Sequence, residues 1–304
     1  MLKKTACLYK INIMKNEVSK VTLVTGASSG IGRAAAILMA KNGYTVYGTS
    51  RSANYELVDV EGVNVTMIPM TVEDDESVKT AVDYVIKQSG RIDIVVNAAG
   101  RGTAGAIEET TAEEAKEQFD VCFFGIVRVL NYVLPVMRAQ RSGMIINIGS
   151  LSACLPVPFQ AMYSACKAAL FSMTTLLRIE LKPFGIRACT IEPGNTISGF
   201  IQSRRYTKKT CYTAYRQPLE RALCVINSER AAYSPDTCAK AVLRVARMKN
   251  PPARVTPGLL YKLVYCLSRL ASWRIKESAI RSVYLKNDPD AHAMWTFDKQ
   301  FKEK

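Results

Sequence analysis

Val21-Thr-Leu-Val-Thr25 runs directly into Gly26-Ala-Ser-Ser-Gly30-Ile-Gly32, and Arg33-Ala-Ala-Ala-Ile-Leu-Met-Ala40 follows. The first five residues are β-branched or apolar and read as a buried strand. The last eight are mostly good helix formers. The glycines between them serve three needs. Gly26 permits a tight turn, Gly30 lets a pyrophosphate approach the backbone, and Gly32 lets a helix pack closely. The helix N-terminus then faces the phosphates. Ser28, Ser29 and Ile31 stand between these glycines and are counted with them as cofactor-binding residues. The spacing is GxxxGxG rather than GxGxxG. With a strand before it and a helix after it, the stretch predicts a dinucleotide site.

The rest of the chain repeats the alternation. Tyr44–Arg51, Val65–Met70, Ile92–Asn97, Met144–Ser150 and Arg187–Glu192 read as further strands. Helices are predicted over Asp75–Ser89, over Thr110–Gln140 as one long element, and over Phe159–Leu181. Strands alternating with helices predict a parallel sheet covered on both faces, a doubly wound Rossmann-type α/β fold. Ligands bind such sheets outside the carboxyl ends of the strands. The second strand ends in Thr49-Ser50-Arg51, and no acidic residue follows before Glu56. An acid at this place selects NAD by accepting from the ribose. Hydroxyls and a guanidinium suit a 2′-phosphate instead. Ser50 and Arg51 therefore predict NADP(H), with NAD(H) as the second choice.

Tyr163-Ser-Ala-Cys-Lys167 places a phenol and an ammonium four residues apart on one helix face. Free tyrosine has a pKa of about 10 and is a poor base at neutral pH. A fixed cation beside it favours the phenolate, so the expectation is a lowered pKa suited to acid–base work.

Composition narrows the classes. The 304 residues include nine cysteines without CxxC pairs and one histidine, His292. That pattern predicts free thiols in a reducing cytoplasm and leaves no Ser-His-Asp triad and no metal site. No apolar run reaches the roughly 18 residues of a membrane span, and the first ten residues lack the core of a secretion signal. Residues 1–16 read as an N-terminal arm. The net charge is +15, and residues 200–304 hold 21 Lys/Arg against 8 Asp/Glu, a difference of +13.

Taken together, the motifs resemble those of the single-domain short-chain dehydrogenases/reductases. The matching residues are Thr25-Gly26, Gly30-Ile31-Gly32, Asn97-Ala98-Ala99-Gly100, Ser150, Tyr163 with Lys167, and Pro193-Gly194, with Ser150 and Tyr163 thirteen apart. They span roughly residues 20–200. The resemblance implies Tyr163 as proton donor and acceptor, Lys167 as the lysine that depresses its pKa and holds the nicotinamide ribose, and Ser150 as the serine on the substrate oxygen. It implies Asn97 and Ala98 beside the adenosine ribose, with Pro193, Gly194, Ile197 and Ser198 around the carboxamide. Leu155 joins Ser150 and Tyr163 as a substrate contact, and Pro156, Val157, Pro158, Phe159 and Met162 add apolar walls. Two positions depart from the family pattern. Cys122 replaces an asparagine that helps the proton relay behind the lysine, and a thiol is a weaker hydrogen-bonding group. Thr71 stands where an aspartate often meets the adenine.

Residues 17–257 are thus expected to form the catalytic domain, with a substrate lid over about 200–227. Arg204-Arg205 and Lys208-Lys209 in that lid read as a solvated face. A helix is expected from a Ser234 cap with Pro235 at its first turn. Residues 258–304 read as a basic helical extension whose stretch from Leu259 to Arg274 is one amphipathic helix. Such an extension resembles the steroid and retinol dehydrogenase-like branch. The leading expectation is an oxidoreductase that interconverts a hydrophobic secondary alcohol and its ketone. A homodimer or homotetramer is expected, cytoplasmic, with peripheral membrane contact through the basic C terminus and no nucleic-acid partner. The competing reading is a cofactor-sensing binding protein on the same fold, supported by Cys122 alone.

Overall fold

The computed structural model describes residues 19–285, apart from 199, 202, 213 and 229–231. Ten strands and nine α-helices are described. Strand β1 (Val21–Thr25) is followed by α1 (Gly30–Lys41), β2 (Thr45–Ser50), β3 (Glu56–Val60), β4 (Val63–Pro69), α2 (Asp75–Ser89) and β5 (Ile94–Asn97). A two-residue strand β6 (Thr103–Ala104) precedes α3 (Ala112–Phe119), α4 (Gly125–Gln140), β7 (Gly143–Ile148), α5 (Ala161–Glu180) and β8 (Ile186–Ile191). Then come β9 (Arg205–Tyr206), α6 (Arg216–Asn227), α7 (Pro235–Ala246), β10 (Arg254–Val255), α8 (Leu259–Leu270) and α9 (Trp273–Tyr284).

Eight strands form one sheet in the order β10-β8-β7-β5-β1-β2-β4-β3. All neighbours are parallel except β3, which returns antiparallel along β4. The order reverses between β1 and β5, so the crevice outside their carboxyl ends is the ligand edge of such a sheet. Register brings the polar residues together there: Thr25 lies opposite Asn97, and Asn97 opposite Asn147. The central strands are buried on both faces, as a covered parallel sheet requires. One face packs Val78 and Val82 of α2, Val129 and Val133 of α4 and Leu170 of α5. The other packs Ala35 and Met39 of α1 against Ala239 and Val242 of α7.

Local signals set the element ends. Asp74 accepts from the Glu76 and Ser77 amides at the start of α2, and Gly90 closes that helix in the left-handed region at φ 67. Ser234 caps α7 with Pro235 inside its first turn. Three expectations change. The long helix over 110–140 is two helices joined by a π-helical turn, Asp120–Phe124. Although residues 112–140 are long and apolar enough to cross a membrane, Val129, Leu130, Val133 and Met137 are buried against the sheet. Strands β3 and β10 were too short or too polar to stand out. The stretch after Leu259 is two helices, because Ser272 starts a new one by accepting from Ile275 N. The N-terminal arm, most of the tail after α9, and His292 lie outside the described residues.

Candidate active site

The carboxyl ends of β1, β2, β5, β7 and β8 open on one cavity of about 930 Å³. Gly26, Ser28, Ser29, Gly30, Ile31 and Gly32 form one wall. Gly26 sits at φ +67, and a Cβ there would stand 2.9 Å from the Ala99 Cα. A Cβ on Gly32 would stand 2.2 Å from the Gly26 carbonyl oxygen. Both positions therefore admit only glycine, and they bring the start of α1 down onto the turn. Ser29 makes no side-chain cap on α1, and no acid lies in its first turn. The partly positive helix end is left to whatever fills the cavity, which suits a pyrophosphate. Ser50 and Arg51 line the far side of this wall. Arg51 is exposed, and no carboxylate among the described residues pairs with it. The donor set fits a phosphorylated dinucleotide.

Helix α5 carries Tyr163 and Lys167 on the cavity side, and Ser150 at the end of β7 faces them. The Lys167 Nζ lies 5.7 Å from the Tyr163 ring centre and donates to the Ile148 carbonyl at 2.8 Å. The Ser150 hydroxyl accepts from Ser152 N at 3.2 Å and stands close enough to the Tyr163 phenol to favour its ionised form. The expected lowering of the Tyr163 pKa is reversed: burial pushes it up, and Lys167 and Ser150 oppose that without overcoming it. A phenolate loses more hydration in this pocket than one ammonium behind the ring restores. Lys167 feels burial as a downward push, but Cys122, Tyr163, Cys166 and Glu192 outweigh it and hold the ammonium above its ordinary value. The pair is therefore a protonated phenol beside a firmly charged lysine.

Cys122 sits in the π-helical turn, where the chain passes behind Lys167. As a thiol it donates to the Arg101 carbonyl at 3.3 Å, and it accepts from Gln118 Nε2 at 3.1 Å. The neighbouring Cys166 thiol and the Lys167 charge pull the Cys122 pKa down in spite of burial. Cys166 is pushed up in turn. None of the seven cysteines whose side chains are described forms a disulfide.

Other predicted residues divide. Ala98, Pro193, Gly194, Ser198 and Leu155 line the cavity with Val157. Asn97 does not: it is 1% exposed and donates to Asn147, which donates on to Thr174. Its amide nitrogen joins β5 to β7, and its Oδ1 is buried without a partner. Ile197 points outward, exposed, and also misses the cavity. Pro156, Pro158 and Phe159 line a second, shallower cavity of about 420 Å³ beside Trp273, and Met162 lines neither. The main cavity is roofed by Phe200, at the start of the expected lid and 5.4 Å from the Tyr163 ring, and by residues that the sequence did not mark, among them Tyr261, Ile280 and Tyr284. Their only signal was the amphipathic pattern of the last helices. Arg204, read as part of a solvated face, is buried and lines the cavity, whereas Arg205 is exposed and paired with Glu117 at 2.6 Å.

Comparison with known proteins agrees with this geometry. The family model described as short chain dehydrogenase matches residues 20–209. A 3-ketodihydrosphingosine reductase of Bacteroides thetaiotaomicron is 35% identical over 87% of this chain and 98% of its own. An 11-beta-hydroxysteroid dehydrogenase-like 3 of Arabidopsis thaliana is 33% identical over 80% of this chain and 75% of its own. The solved structure of a short-chain dehydrogenase from Streptomyces avermitilis superposes with a TM-score of 0.76 at 32% identity, covering 88% of this chain and 98% of that one.

Proposed function

The chain belongs to the short-chain dehydrogenase/reductase family and is an NAD(P)(H)-dependent oxidoreductase, and from that premise we propose that it interconverts a hydrophobic secondary alcohol and its ketone with NADP(H). The observation that carries this reading is the single cavity in which the glycine loop, Tyr163, Lys167 and Ser150 share one space under an apolar roof from α8 and α9. The steroid-like and sphingoid names of two relatives support a lipophilic substrate.

Bound NADPH would supply the hydride to the carbonyl carbon. Tyr163, protonated at neutral pH, gives its proton to the carbonyl oxygen, and in the reverse direction takes it back. Ser150 donates to the same oxygen as negative charge develops on it. Lys167 stabilises the phenolate left on Tyr163, and the Ile148 carbonyl holds the ammonium in place. Arg51 and Ser50 receive the 2′-phosphate, which favours NADP(H) over NAD(H). Asn97 acts by holding β5 to β7 rather than by touching the ribose.

Residues 17–257 serve as the catalytic unit in this reading, with 200–227 as the lid and 258–304 as the extension that finishes the roof. The outer faces of α8 and α9 expose Leu259, Leu263, Leu267, Leu270 and Trp273 beside Lys262, Arg269 and Arg274, which supports peripheral contact with an anionic membrane surface. Exposed Leu176 and Ile179 on α5 support self-association as a dimer or tetramer. Free thiols support a cytoplasmic location.

The test is the loss of reduced-nicotinamide absorbance with steroid, retinoid and long-chain aliphatic ketones, each with NADPH and NADH. At least a tenfold preference for NADPH in kcat/KM, with turnover confined to lipophilic ketones, is expected. Equal use of NADH, or turnover of sugars alone, would overturn the reading.

A further inference from the structure

Arg204 lies between β8 and β9, is 7% exposed, and lines the main cavity. Its Nη1 donates to Asn227 Oδ1 at 2.5 Å, and its other polar partner is the Tyr206 phenol beside it. Both partners are uncharged at neutral pH; burial pushes the Tyr206 phenol further up. No carboxylate among the described residues pairs with Arg204, and its Nε–H has no acceptor. A guanidinium stays protonated in proteins. Burying that charge without an anion is strongly unfavourable, and a buried donor left unpaired adds to the cost. Such a group is retained where a ligand completes it.

The charge of the whole cavity agrees. Arg51, Arg101, Lys167, Arg204 and Lys276 line it against a single acid, Glu73. Glu73 is already engaged by Arg101 at 3.4 Å. Lys167 is held by the Ile148 carbonyl and Arg51 stands at the end of β2. Arg204 instead belongs to the Tyr163 end. The Tyr163 ring packs on Phe200, four residues before Arg204, and Arg204 feels the Tyr163 phenol directly.

We propose that Arg204 is a specificity residue that receives a carboxylate of the substrate, so that the lipophilic ketone reduced beside Tyr163 carries a negative charge. The inference rests on the oxidoreductase reading of the same site. The unpartnered Nε–H offers one oxygen of the anion a donor, and the Nη1 bond to Asn227 fixes the direction of the guanidinium. The same cation disfavours a substrate with an ammonium near its ketone, so this cavity selects against an aminoketone.

The experiment uses the full chain as wild type, Arg204→Met and Arg204→Lys, with NADPH. The substrates are oxodecanoic acids that differ in ketone position, the methyl ester of each, and a long-chain aminoketone. Wild type is expected to favour an acid over its ester. That ratio of kcat/KM should fall roughly 10- to 100-fold in Arg204→Met, the worth of one charge-assisted buried hydrogen bond, and only part of the way in Arg204→Lys. Titration of NADPH fluorescence checks that each variant is folded. Equal turnover of acid and ester by wild type, preference for the aminoketone, or an unchanged ratio in Arg204→Met overturns the proposal. A fall in NADPH affinity with the ratio intact assigns the guanidinium to the cofactor and overturns it too. Failure of the underlying reading is distinct, because wild type would then oxidise no NADPH with any ketone, ester or acid.

Discussion

The floor and the roof of the cavity are built by different rules. The floor consists of the glycine turn, the ends of β5, β7 and β8, and the inner face of α5. Its side chains are held by hydrogen bonds to backbone groups of the central sheet, as Lys167 is by Ile148. The roof consists of the 196–227 segment with α8 and α9. It meets the floor mainly through rings and aliphatic side chains, and its outer face leaves Leu259 at 82% and Leu270 at 87% exposed. The floor can therefore fix a reaction, whereas the roof can change occupant without disturbing it. Arg254 of β10 links the two, paired with Glu192 at the end of β8 and reaching Tyr265 of α8. Arg254 lies 2.9 Å from Glu192, and its guanidinium is stacked between Phe171 of α5 and Tyr265 of α8 at 3.7 and 4.8 Å. The charges are close but not aligned for a hydrogen bond.

Substitutions on the two sides should separate cleanly. The largest effect is expected on the floor. Tyr163→Phe removes the transferable proton and should lower kcat by about 1000-fold for every ketone, with NADPH affinity retained. A loss confined to one class of substrate would show that the floor does not act alone. On the roof, Ile280→Arg places a charge over the apolar end of the cavity. It should raise KM about tenfold for long-chain ketones and leave short-chain ketones within threefold; a uniform loss of kcat would erase the distinction.

The smallest effect is expected at the joint. Burial holds Glu192 up at about 7 against the opposing pull of Arg254, from an ordinary value of 4.5. The folded protein therefore binds a proton that the unfolded chain has released. Stability from this group is full below pH 4.5 and is lost as pH rises to about 7. Glu192→Gln cannot titrate. Its melting temperature should lie on the order of 5 °C above wild type at pH 8 relative to the difference at pH 4.5. Parallel pH profiles for the two proteins would show that the joint carries no such penalty.

The floor was legible because each part of it obeys a local rule. Glycines at 26, 30 and 32 follow from a turn that admits no Cβ, and Tyr163 and Lys167 share a face because helices repeat every 3.6 residues. Even there, the sequence misjudged energies and directions. It counted the Lys167 charge without the desolvation of the phenol, and it placed Asn97 on the ribose, whereas Asn97 is buried with its amide nitrogen donating to Asn147. The roof was hardly legible. Arg204 and Arg205 are identical neighbours, yet one is buried beside Tyr163 and the other pairs with Glu117 at the surface, and no spacing rule distinguishes them.

The amino-acid sequence by itself determined the doubly wound sheet, the family and the chemistry of the floor, since strand and helix periodicity and fixed motif spacings act over a few residues. Only the tertiary structure decided which charges lose their water, which thiol faces Lys167, and that α8 and α9 fold back over Tyr163. Those outcomes depend on contacts between residues far apart in the chain, where burial and pairing reset the energy of every polar group.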